Sequence, residues 1–167
     1  MVELRDASDD DAEAITAIYN AGIDTTSHEW TETPHEADDV RAWVRRRQAN
    51  GEPAIVAVVD DEVVGWASYG DFRDSVQRPG YRFVVEHSIH VREDHWGHGI
   101  GRQLLRALED FARRAGKRVL VAAIDSQNEP SIRFHERLGF VEVARMPEIG
   151  EKFGRRLDLV LMQHILQ

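Results

Sequence analysis

The sequence predicts one mixed α/β domain around a central sheet, and three observations carry that prediction. Strand and helix patterns follow one another in the order β-α-α-β-β-β-α-β-α-β-β. A strand pattern over residues 81–91 passes through a glycine-rich turn into an amphipathic helix pattern over 99–115, and a continuous apolar run follows at 119–124. A strand, a helix and a fully apolar strand make a parallel β-α-β unit, so the turn is expected at the carboxyl end of a central strand.

The first third of the chain predicts one strand and two helices. The strand is expected at residues 2–5, and Ser8 with Asp11 marks the start of a helix that runs to Gly22. Residues 33–36, Thr-Pro-His-Glu, read as a capping box with proline at the first helical position. The second helix is therefore expected to begin there, with Val40, Trp43 and Val44 on its apolar face.

The rest of the chain predicts six strands, the central one among them, and two helices. A hairpin is expected around Asp60-Asp61-Glu62. The helix that follows the glycine-rich turn ends at Gly116, and a shorter helix over 131–138 is closed by Gly139. The predicted strands are 54–59, 63–69, 81–91, 119–124, 140–144 and 157–162. The residues expected to face inward from the long helix are Ile100, Leu104, Leu105, Leu108, Phe111 and Ala112.

Composition limits the function classes. The 167 residues suit a single domain over 1–167, and the absence of cysteine excludes disulfides, thiolate catalysis and zinc–thiolate sites. No apolar run reaches the length of about 20 residues that a membrane span requires. The N-terminus lacks a signal-peptide pattern, which predicts a cytoplasmic protein. A formal net charge of −9 makes the chain a poor general binder of nucleic acid.

Charge is unevenly distributed along the chain. Residues 1–40 hold twelve acidic side chains and one base, whereas residues 97–118 hold six bases and two acids. A single basic helix that starts at a glycine-rich turn suits a small polyanion. The alternative is a solvated helix face whose cations at Arg113 and beyond answer the helix dipole.

The glycine-rich turn predicts a phosphate site. Gly97, Gly99 and Gly101 remove side chains from the backbone where a helix begins, so main-chain N–H groups point outward at the positive end of the helix dipole. The spacing is not the dinucleotide pattern, because Arg102 stands where a third glycine would be, and no Walker lysine is present. A tight turn without a ligand is the alternative.

The turn and a second segment resemble the GNAT superfamily of acyl-CoA-dependent N-acyltransferases. That superfamily places Arg or Gln, two residues, then Gly-x-Gly/Ala at this turn, and here Trp96 to Gly101 match except at Trp96. Residues 128–140 resemble its second CoA-side element, with His135 in place of the usual tyrosine. The resemblance implies that acetyl-CoA is the cosubstrate. The residues it implies for CoA binding are Gly97, His98, Gly99, Ile100, Gly101 and Arg102 at the diphosphate, Ile89, His90 and Val91 along the pantetheine, and Asn128.

A closer resemblance is to the phosphinothricin N-acetyltransferase branch. It rests on Gly70-Asp71-Phe72-Arg73, on residues 85–91 (Val-Glu-His-Ser-Ile-His-Val) and on residues 152–163, which begin Lys-Phe-Gly-Arg-Arg. The resemblance implies transfer of an acetyl group to the α-amine of phosphinothricin, methionine sulfoximine, methionine sulfone or a similar small amino acid. It also implies a homodimer, with Lys152 and Phe153 near the active site in a role left open.

Two side chains are candidates for the proton transfers. Glu86, on the central strand, can accept a proton from the acceptor's ammonium group and anchor it. Its structural alternative is an ion pair with Arg82 or another strand residue. His135 is the candidate acid for the leaving thiolate, since imidazole titrates near neutrality, and its alternative is a packed histidine with a structural hydrogen bond.

Three further side chains are candidates for holding the acceptor. Arg73 offers a planar fork that matches a carboxylate or phosphinate, although a surface arginine is an equal alternative. Trp30 and Phe72 are expected to wall the acceptor side chain.

An unusual density of histidine at 87, 90, 95 and 98 raises the question of a metal site. His87 and His90 face opposite sides of a strand, and no ligand set is complete, so no metal is predicted.

Two rival functions stay open at this stage. The first is acetylation of a protein N-terminus or a polyamine, and a cation at Arg73 argues against polyamines by repulsion. The second is a CoA-binding regulatory module without catalysis, against which the presence of both Glu86 and His135 argues.

Overall fold

The computed structural model describes residues 1–166, and its element order is the predicted one. Its strands are β1 Glu3–Asp6, β2 Ala54–Val59, β3 Glu62–Asp71, β4 Val84–Val91, β5 Val119–Asp125, β6 Val141–Lys152 and β7 Arg155–Ile165. Its helices are α1 Ala12–Asn20, α2 Ala37–Ala49, α3 Ile100–Arg114 and α4 Glu129–Arg137. The strand order β1-β2-β3-β4-β5-β7-β6 puts β4 in the middle, as expected, and the mixed α/β fold class is confirmed.

Residue contacts group the chain into two compact units, each built from three segments. The first unit holds Met1–Ala21, His35–Gly70 and His87–Ala115, and the second holds Gly22–Pro34, Asp71–Glu86 and Gly116–Gln167. Strand β4 contributes residues to both units. The expectation of a single domain over 1–167 stays a prediction.

The first unit packs α1 and α2 on the antiparallel strands β1, β2 and β3. Its α1 is preceded by a short 3₁₀ turn, where Asp11 accepts hydrogen bonds from the Ser8 amide at 2.7 Å and the Ser8 hydroxyl at 2.9 Å. The expected hairpin forms because Asp60 and Asp61 both adopt positive φ, the pair of conformations that a type I′ turn requires.

The second unit combines parallel and antiparallel pairing. Strand β4 pairs with β5 in parallel from Val84 to Glu86, whose partner is Val121. Strand β7 then pairs antiparallel with β5 and with β6, so that Val121 lies opposite Gln163 and Gly150 lies opposite Leu157. Side chains of paired residues share a face of the sheet, and alternate residues along a strand do too.

That register defines one face of the second unit, which we call the Glu86 face. It carries Glu86, Val121 and Gln163 at one end. Residues 155, 157, 159, 161 and 163 of β7 point to this same side. Gly150 pairs with Leu157 and Lys152 pairs with Arg155, so these two residues of β6 also lie on the Glu86 face. Two irregularities interrupt the register along β6, one between Glu142 and Ala144 and one between Met146 and Gly150.

The observed boundaries differ from the predicted ones by three residues or more at three places, the start of α2, the start of β4 and the last hairpin. The capping box at residues 33–36 is wrong, because α2 begins three residues later with Glu36 at its N-cap and without a side-chain cap. The central strand begins at Val84 and not at 81, since Pro79–Tyr81 form a 3₁₀ turn. The last hairpin is far longer than its apolar core predicted, with β6 extending to Lys152.

No helix within residues 1–166 is both long and apolar enough to cross a bilayer.

Candidate active site

The glycine-rich turn adopts the conformation that its sequence predicts. Gly97 has φ of 80° and Gly99 has φ of 79°, both in the left-handed region. A Cβ added at either position would meet no atom within 4 Å, so backbone conformation and not crowding requires glycine here. The two glycines turn the chain from the end of β4 into α3.

The start of α3 presents main-chain N–H groups without a side-chain cap. Gly99 is the N-cap, and its carbonyl accepts the first intrahelical hydrogen bond from Gln103 at 3.1 Å. The amides of Ile100, Gly101 and Arg102 precede that bond, and the first turn carries no acidic residue. This arrangement suits an anion such as a diphosphate.

The residues predicted to bind the diphosphate differ in whether they can offer it a main-chain amide or a side chain. The Ile100 side chain is only 2% exposed and packs in the core, so this residue offers its main chain alone. His98 and Arg102 are exposed beside the turn. Within residues 1–166 Arg102 forms no ion pair, which leaves its charge available to an anion.

The other basic residues of α3 are engaged elsewhere. Glu109 is fully buried, and its carboxylate lies 2.8 Å from an Arg106 nitrogen and 3.7 Å from an Arg113 nitrogen. Arg113 also pairs with Asp110 at 3.2 Å. Arg113 is therefore paired with acidic residues of its own helix, and the first turn is the part of α3 that we expect to bind an anion.

Trp96 fills the position at which the superfamily pattern has Arg or Gln. Its side chain is 61% exposed, and its indole N–H donates to the Val91 carbonyl at 2.6 Å. The side chain therefore fixes the turn to the end of β4. The sequence reasoning left this role unassigned.

The end of β4 carries the three residues predicted for pantetheine. The ring of His90 stacks on Trp66, with centroids 4.6 Å apart, and lies 5.1 Å from Tyr19. Burial lowers the pKa of His90 to about 4, so the imidazole is neutral at physiological pH. Ile89 and Val91 are half-buried. These residues can serve a ligand through their main chain.

Glu86 is a half-buried carboxylate on β4 in the second unit. Burial raises its pKa above the usual range, and no other cause contributes. No ion pair to Glu86 exists among residues 1–166, and Arg82 instead donates to the Pro79 carbonyl at 2.8 Å and stacks on Phe83. The predicted alternative, an ion pair with Arg82, does not form. A desolvated carboxylate with a raised pKa is suited to accept a proton.

His135 is 6% exposed on α4, and its hydrogen bond points back into its own helix. Its Nδ1 lies 2.7 Å from the Ser131 carbonyl, so this nitrogen carries the proton and donates. Burial lowers the pKa of His135, which disfavours the imidazolium form. Its ring also packs edge-on against Phe134 and Phe140. The Nδ1 bond fixes the orientation of the ring, and the role of His135 as acid stays a prediction.

Asn128 caps α4. Its Oδ1 accepts the Ser131 N–H at 3.2 Å, and its own amide N–H donates to the Asp125 carbonyl at 2.9 Å. Within residues 1–166 its side-chain Nδ2 donates no hydrogen bond. The cap holds that group at the N-terminus of the helix, where it can serve a ligand.

Arg73 is exposed on the segment after β3. Its guanidinium lies 5.5 Å from the centroid of Phe72 and 5.6 Å from that of Tyr81. It forms no ion pair in the described part of the chain. An unpaired guanidinium held by two aromatic rings is suited to a carboxylate or phosphinate.

Trp30 lies on the Glu86 face of the second unit. Its six-membered ring rests on Gly150, where an added Cβ would come within 2.5 Å of two ring carbons.

The predicted site residues fall into two sets, one in each compact unit. The first unit holds the residues proposed for CoA except Asn128, and the second unit holds Asn128, Glu86, His135, Arg73, Phe72 and Trp30.

Lys152 is the side chain whose role the sequence left open, and the structure gives it a distinctive position. It is 2% exposed at the end of β6. The signal for it was present in the composition, because only two lysines occur in a chain with nineteen arginines, and this one lies in a strand.

The donor set fits an acyl-CoA and gives no sign of a metal centre. An uncapped helix start, two left-handed glycines and an exposed arginine match a diphosphate. Among residues 1–166 no group of three or more His, Asp or Glu side chains could hold a metal ion. The fold and this site define an α/β transferase that uses acyl-CoA.

Comparison with known proteins agrees with this class. Residues 15–140 match the model of the acetyltransferase (GNAT) family, and the chain belongs to that family. It is an acetyl-CoA-dependent acetyltransferase, as the sequence predicted.

Two curated relatives are similar over most of the chain. One is an L-methionine sulfoximine/L-methionine sulfone acetyltransferase of Salmonella typhimurium, 46% identical over 96% of this chain and 92% of that protein. Another is a phosphinothricin N-acetyltransferase of Alcaligenes faecalis, 36% identical over 98% of this chain and 82% of that protein. The predicted family branch is confirmed.

Two solved structures are equally close in fold. The acetyltransferase yncA from Salmonella typhimurium, solved with its cofactor acetyl-CoA, superposes with a TM-score of 0.93 at 45% identity, covering 100% of this chain and 95% of that one. A ribosomal-protein-alanine N-acetyltransferase from Brucella melitensis gives 0.93 at 40% identity, covering 98% and 99%.

Proposed function

We propose that this enzyme transfers the acetyl group of acetyl-CoA to the α-amine of a small amino acid or analogue by direct attack in a ternary complex. The acceptor class is that of methionine sulfoximine, methionine sulfone and phosphinothricin. The observation that carries the proposal is Glu86, a carboxylate whose pKa burial raises and which no cation in residues 1–166 neutralises. A relative that acts on methionine sulfoximine supports the acceptor class.

In this proposal the main-chain amides from Gly97 to Arg102 hold the diphosphate of acetyl-CoA. Acetyl-CoA supplies an activated acyl group with a thiolate leaving group. The amide donor for the developing oxyanion is proposed on β4 near Ile89 or His90, since the pairs of β4 with β5 end at Glu86. Asn128 offers its side-chain amide to the CoA arm.

On the acceptor side, Glu86 accepts the proton that the ammonium group must lose, directly or through water. Arg73 binds the acceptor's carboxylate or phosphinate, and Phe72 and Trp30 wall its side chain. His135 is the candidate acid for the leaving thiolate, and its Nδ1 proton, donated to the Ser131 carbonyl, orients the ring for that role.

One assay tests the acceptor class. Free thiol released from CoA is followed with methionine sulfone, methionine sulfoximine, phosphinothricin, spermidine and a peptide with an alanine N-terminus. We expect kcat/KM to be highest for one of the first three acceptors. Release with the peptide or with spermidine alone would overturn the proposal, and acetyl-CoA binding without turnover of any acceptor would point to a regulatory module.

Arg73→Ala is expected to raise the acceptor's KM by about 10- to 100-fold, because a charge-assisted bidentate contact is lost. The KM for acetyl-CoA should stay unchanged. Arg78→Ala, in the same exposed segment, is the matched control. Methionine sulfone amide, which lacks the carboxylate, should be insensitive to Arg73→Ala. Equal KM values for the variant and wild type with methionine sulfone would rule out the clamp.

We also propose that the enzyme is a homodimer that pairs through β6. This strand is outermost in the sheet order and exposes Val141, Val143, Met146 and Ile149, and Phe153 is exposed in the turn that follows it. Exposed apolar side chains on an edge strand favour association.

The double variant Val143→Lys with Ile149→Lys is expected to halve the mass measured by light scattering, because two charges per chain would enter the interface. Val76→Lys, at an exposed apolar residue outside β6, is the control and should keep the wild-type mass. A wild-type chain that is monomeric at micromolar concentration would contradict the proposed dimer.

A further inference from the structure

The ammonium group of Lys152 is buried, lies 4.8 Å from the centroid of the Phe153 ring, and within residues 1–166 donates its hydrogen bonds to main-chain carbonyls. Its Nζ lies 2.6 Å from the carbonyl oxygen of Ile23, 2.7 Å from that of Thr26 and 2.7 Å from that of Glu29. Three acceptors match the three N–H donors of an ammonium group. No carboxylate in residues 1–166 pairs with it. Burying a charge is costly, and here three hydrogen bonds compensate for lost hydration.

These three carbonyls belong to one segment without helix or strand, residues 22–34, which we call the acceptor segment. Its own main-chain hydrogen bonds are few, such as Thr26 N–H to the Gly22 carbonyl at 2.9 Å. Lys152 therefore connects three points of a segment that little regular structure holds in place. At the far end, Glu32 accepts the Phe153 N–H at 2.7 Å, so the tip of the β6–β7 hairpin holds the segment twice.

The acceptor segment carries Trp30, which rests on Gly150, two residues before Lys152. The register of the second unit puts Gly150 and Lys152 on the Glu86 face. The place that Trp30 occupies on this face is thus fixed by two contacts. One is the ring contact with Gly150, and the other is the set of hydrogen bonds to Lys152.

We propose that Lys152 is a positioning residue for the acceptor: its buried ammonium fixes the conformation of the acceptor segment and so places Trp30 on the Glu86 face. Lys152 itself does not contact the acceptor. The inference rests on the proposed function, in which Trp30 walls the acceptor side chain. It gives the buried charge a role that an apolar side chain could not perform, since an apolar group cannot hold three carbonyls.

The test combines kinetics with hydrogen exchange on the full-length enzyme. Lys152→Met keeps the side-chain length and removes the donors. We expect kcat/KM for the best acceptor to fall by about 10- to 100-fold, mainly through KM, because a small misplacement of a positioning group has large effects. The KM for acetyl-CoA should stay within about twofold of wild type, and amides of residues 22–34 should exchange faster. Glu151→Gln, at the exposed neighbour, is the control.

A second variant keeps the inference testable if Lys152→Met does not fold. Gly150→Ala displaces the Trp30 ring by adding one methyl group, and Gly80→Ala, where an added Cβ meets nothing within 4 Å, is its control. We expect a raised acceptor KM for Gly150→Ala and wild-type values for Gly80→Ala.

The inference is overturned if Lys152→Met folds with unchanged exchange in residues 22–34, or if either variant keeps the wild-type acceptor KM. Failure of the proposed function is recognised separately, because it appears in the wild-type enzyme as an absence of turnover with the amino acid acceptors. The exchange comparison needs no acceptor and stands in both cases.

Discussion

Glu86→Gln is expected to lower kcat by about 100-fold or more at neutral pH, the usual contribution of a general base. Glutamine has nearly the shape of glutamate but cannot take up the proton that the attacking amine must lose. The measurement is the initial rate of thiol release with methionine sulfone at saturating acetyl-CoA. Glu136→Gln, an exposed carboxylate on α4, is the control and should keep the wild-type rate.

The pH dependence should identify Glu86 as the group responsible. Burial raises its pKa, so kcat of the wild type should rise with pH through a value above the usual carboxyl range, and the variant should lack this rise. Because the folded state disfavours the carboxylate, the stability that this group contributes falls as pH rises from its unfolded pKa through its folded one. Glu86→Gln should therefore unfold at neutral pH no more easily than wild type. Full kcat in a folded Glu86→Gln variant would remove Glu86 from the mechanism.

Gly99→Ala is expected to raise the KM for acetyl-CoA by about 10- to 100-fold, the cost of losing one or two charge-assisted hydrogen bonds. With φ of 79°, an alanine here is strained, and relief of that strain turns the amides of the first helical turn away from the anion. The acceptor's KM should change little. The check is a titration of thiol release against acetyl-CoA, with isothermal titration of CoA as a second measurement.

Gly116→Ala separates loss of the phosphate site from backbone strain. Gly116, just past the end of α3, has φ of 70° and, like Gly99, open space around an added Cβ. Both variants should lose about 1–2 kcal/mol of folding free energy, the cost of a left-handed residue with a side chain, yet only Gly99→Ala should weaken CoA binding. Equal KM values for acetyl-CoA in the two variants would show that the turn is structural only.

The parts of the fold that follow from local patterns were predicted well. The inward face of α3 is one example, since Leu104, Leu105 and Leu108 keep helical spacing and are all buried. The position of the glycine-rich turn at the end of β4 is another. Both depend on residues close in sequence, where spacing alone decides which side is apolar.

Errors arose where residues distant in sequence decide the outcome. The β6–β7 hairpin extends past its apolar core because the two strands pair with each other out to Lys152 and Arg155, which no local pattern shows. Residues 33–36 have the sequence of a capping box. However, the Asn20 side-chain amide donates to the His35 carbonyl at 2.9 Å, and the Asn20 side-chain oxygen accepts the His35 main-chain N–H at 2.9 Å. Those bonds hold His35 outside the helix.

The candidate site shows the same division. The amides of the glycine-rich turn could be predicted because glycine spacing acts through the local backbone. The partners of Lys152 could not, because they lie more than 120 residues earlier in the chain.

The most direct test of the account is a crystal structure of the enzyme with CoA and methionine sulfone. The account predicts that the diphosphate oxygens lie about 3 Å from main-chain nitrogens between Gly97 and Arg102, and that the acceptor's amine lies within hydrogen-bond reach of the Glu86 carboxylate. A diphosphate bound away from these amides, or an amine held by other groups and out of reach of Glu86, would contradict it.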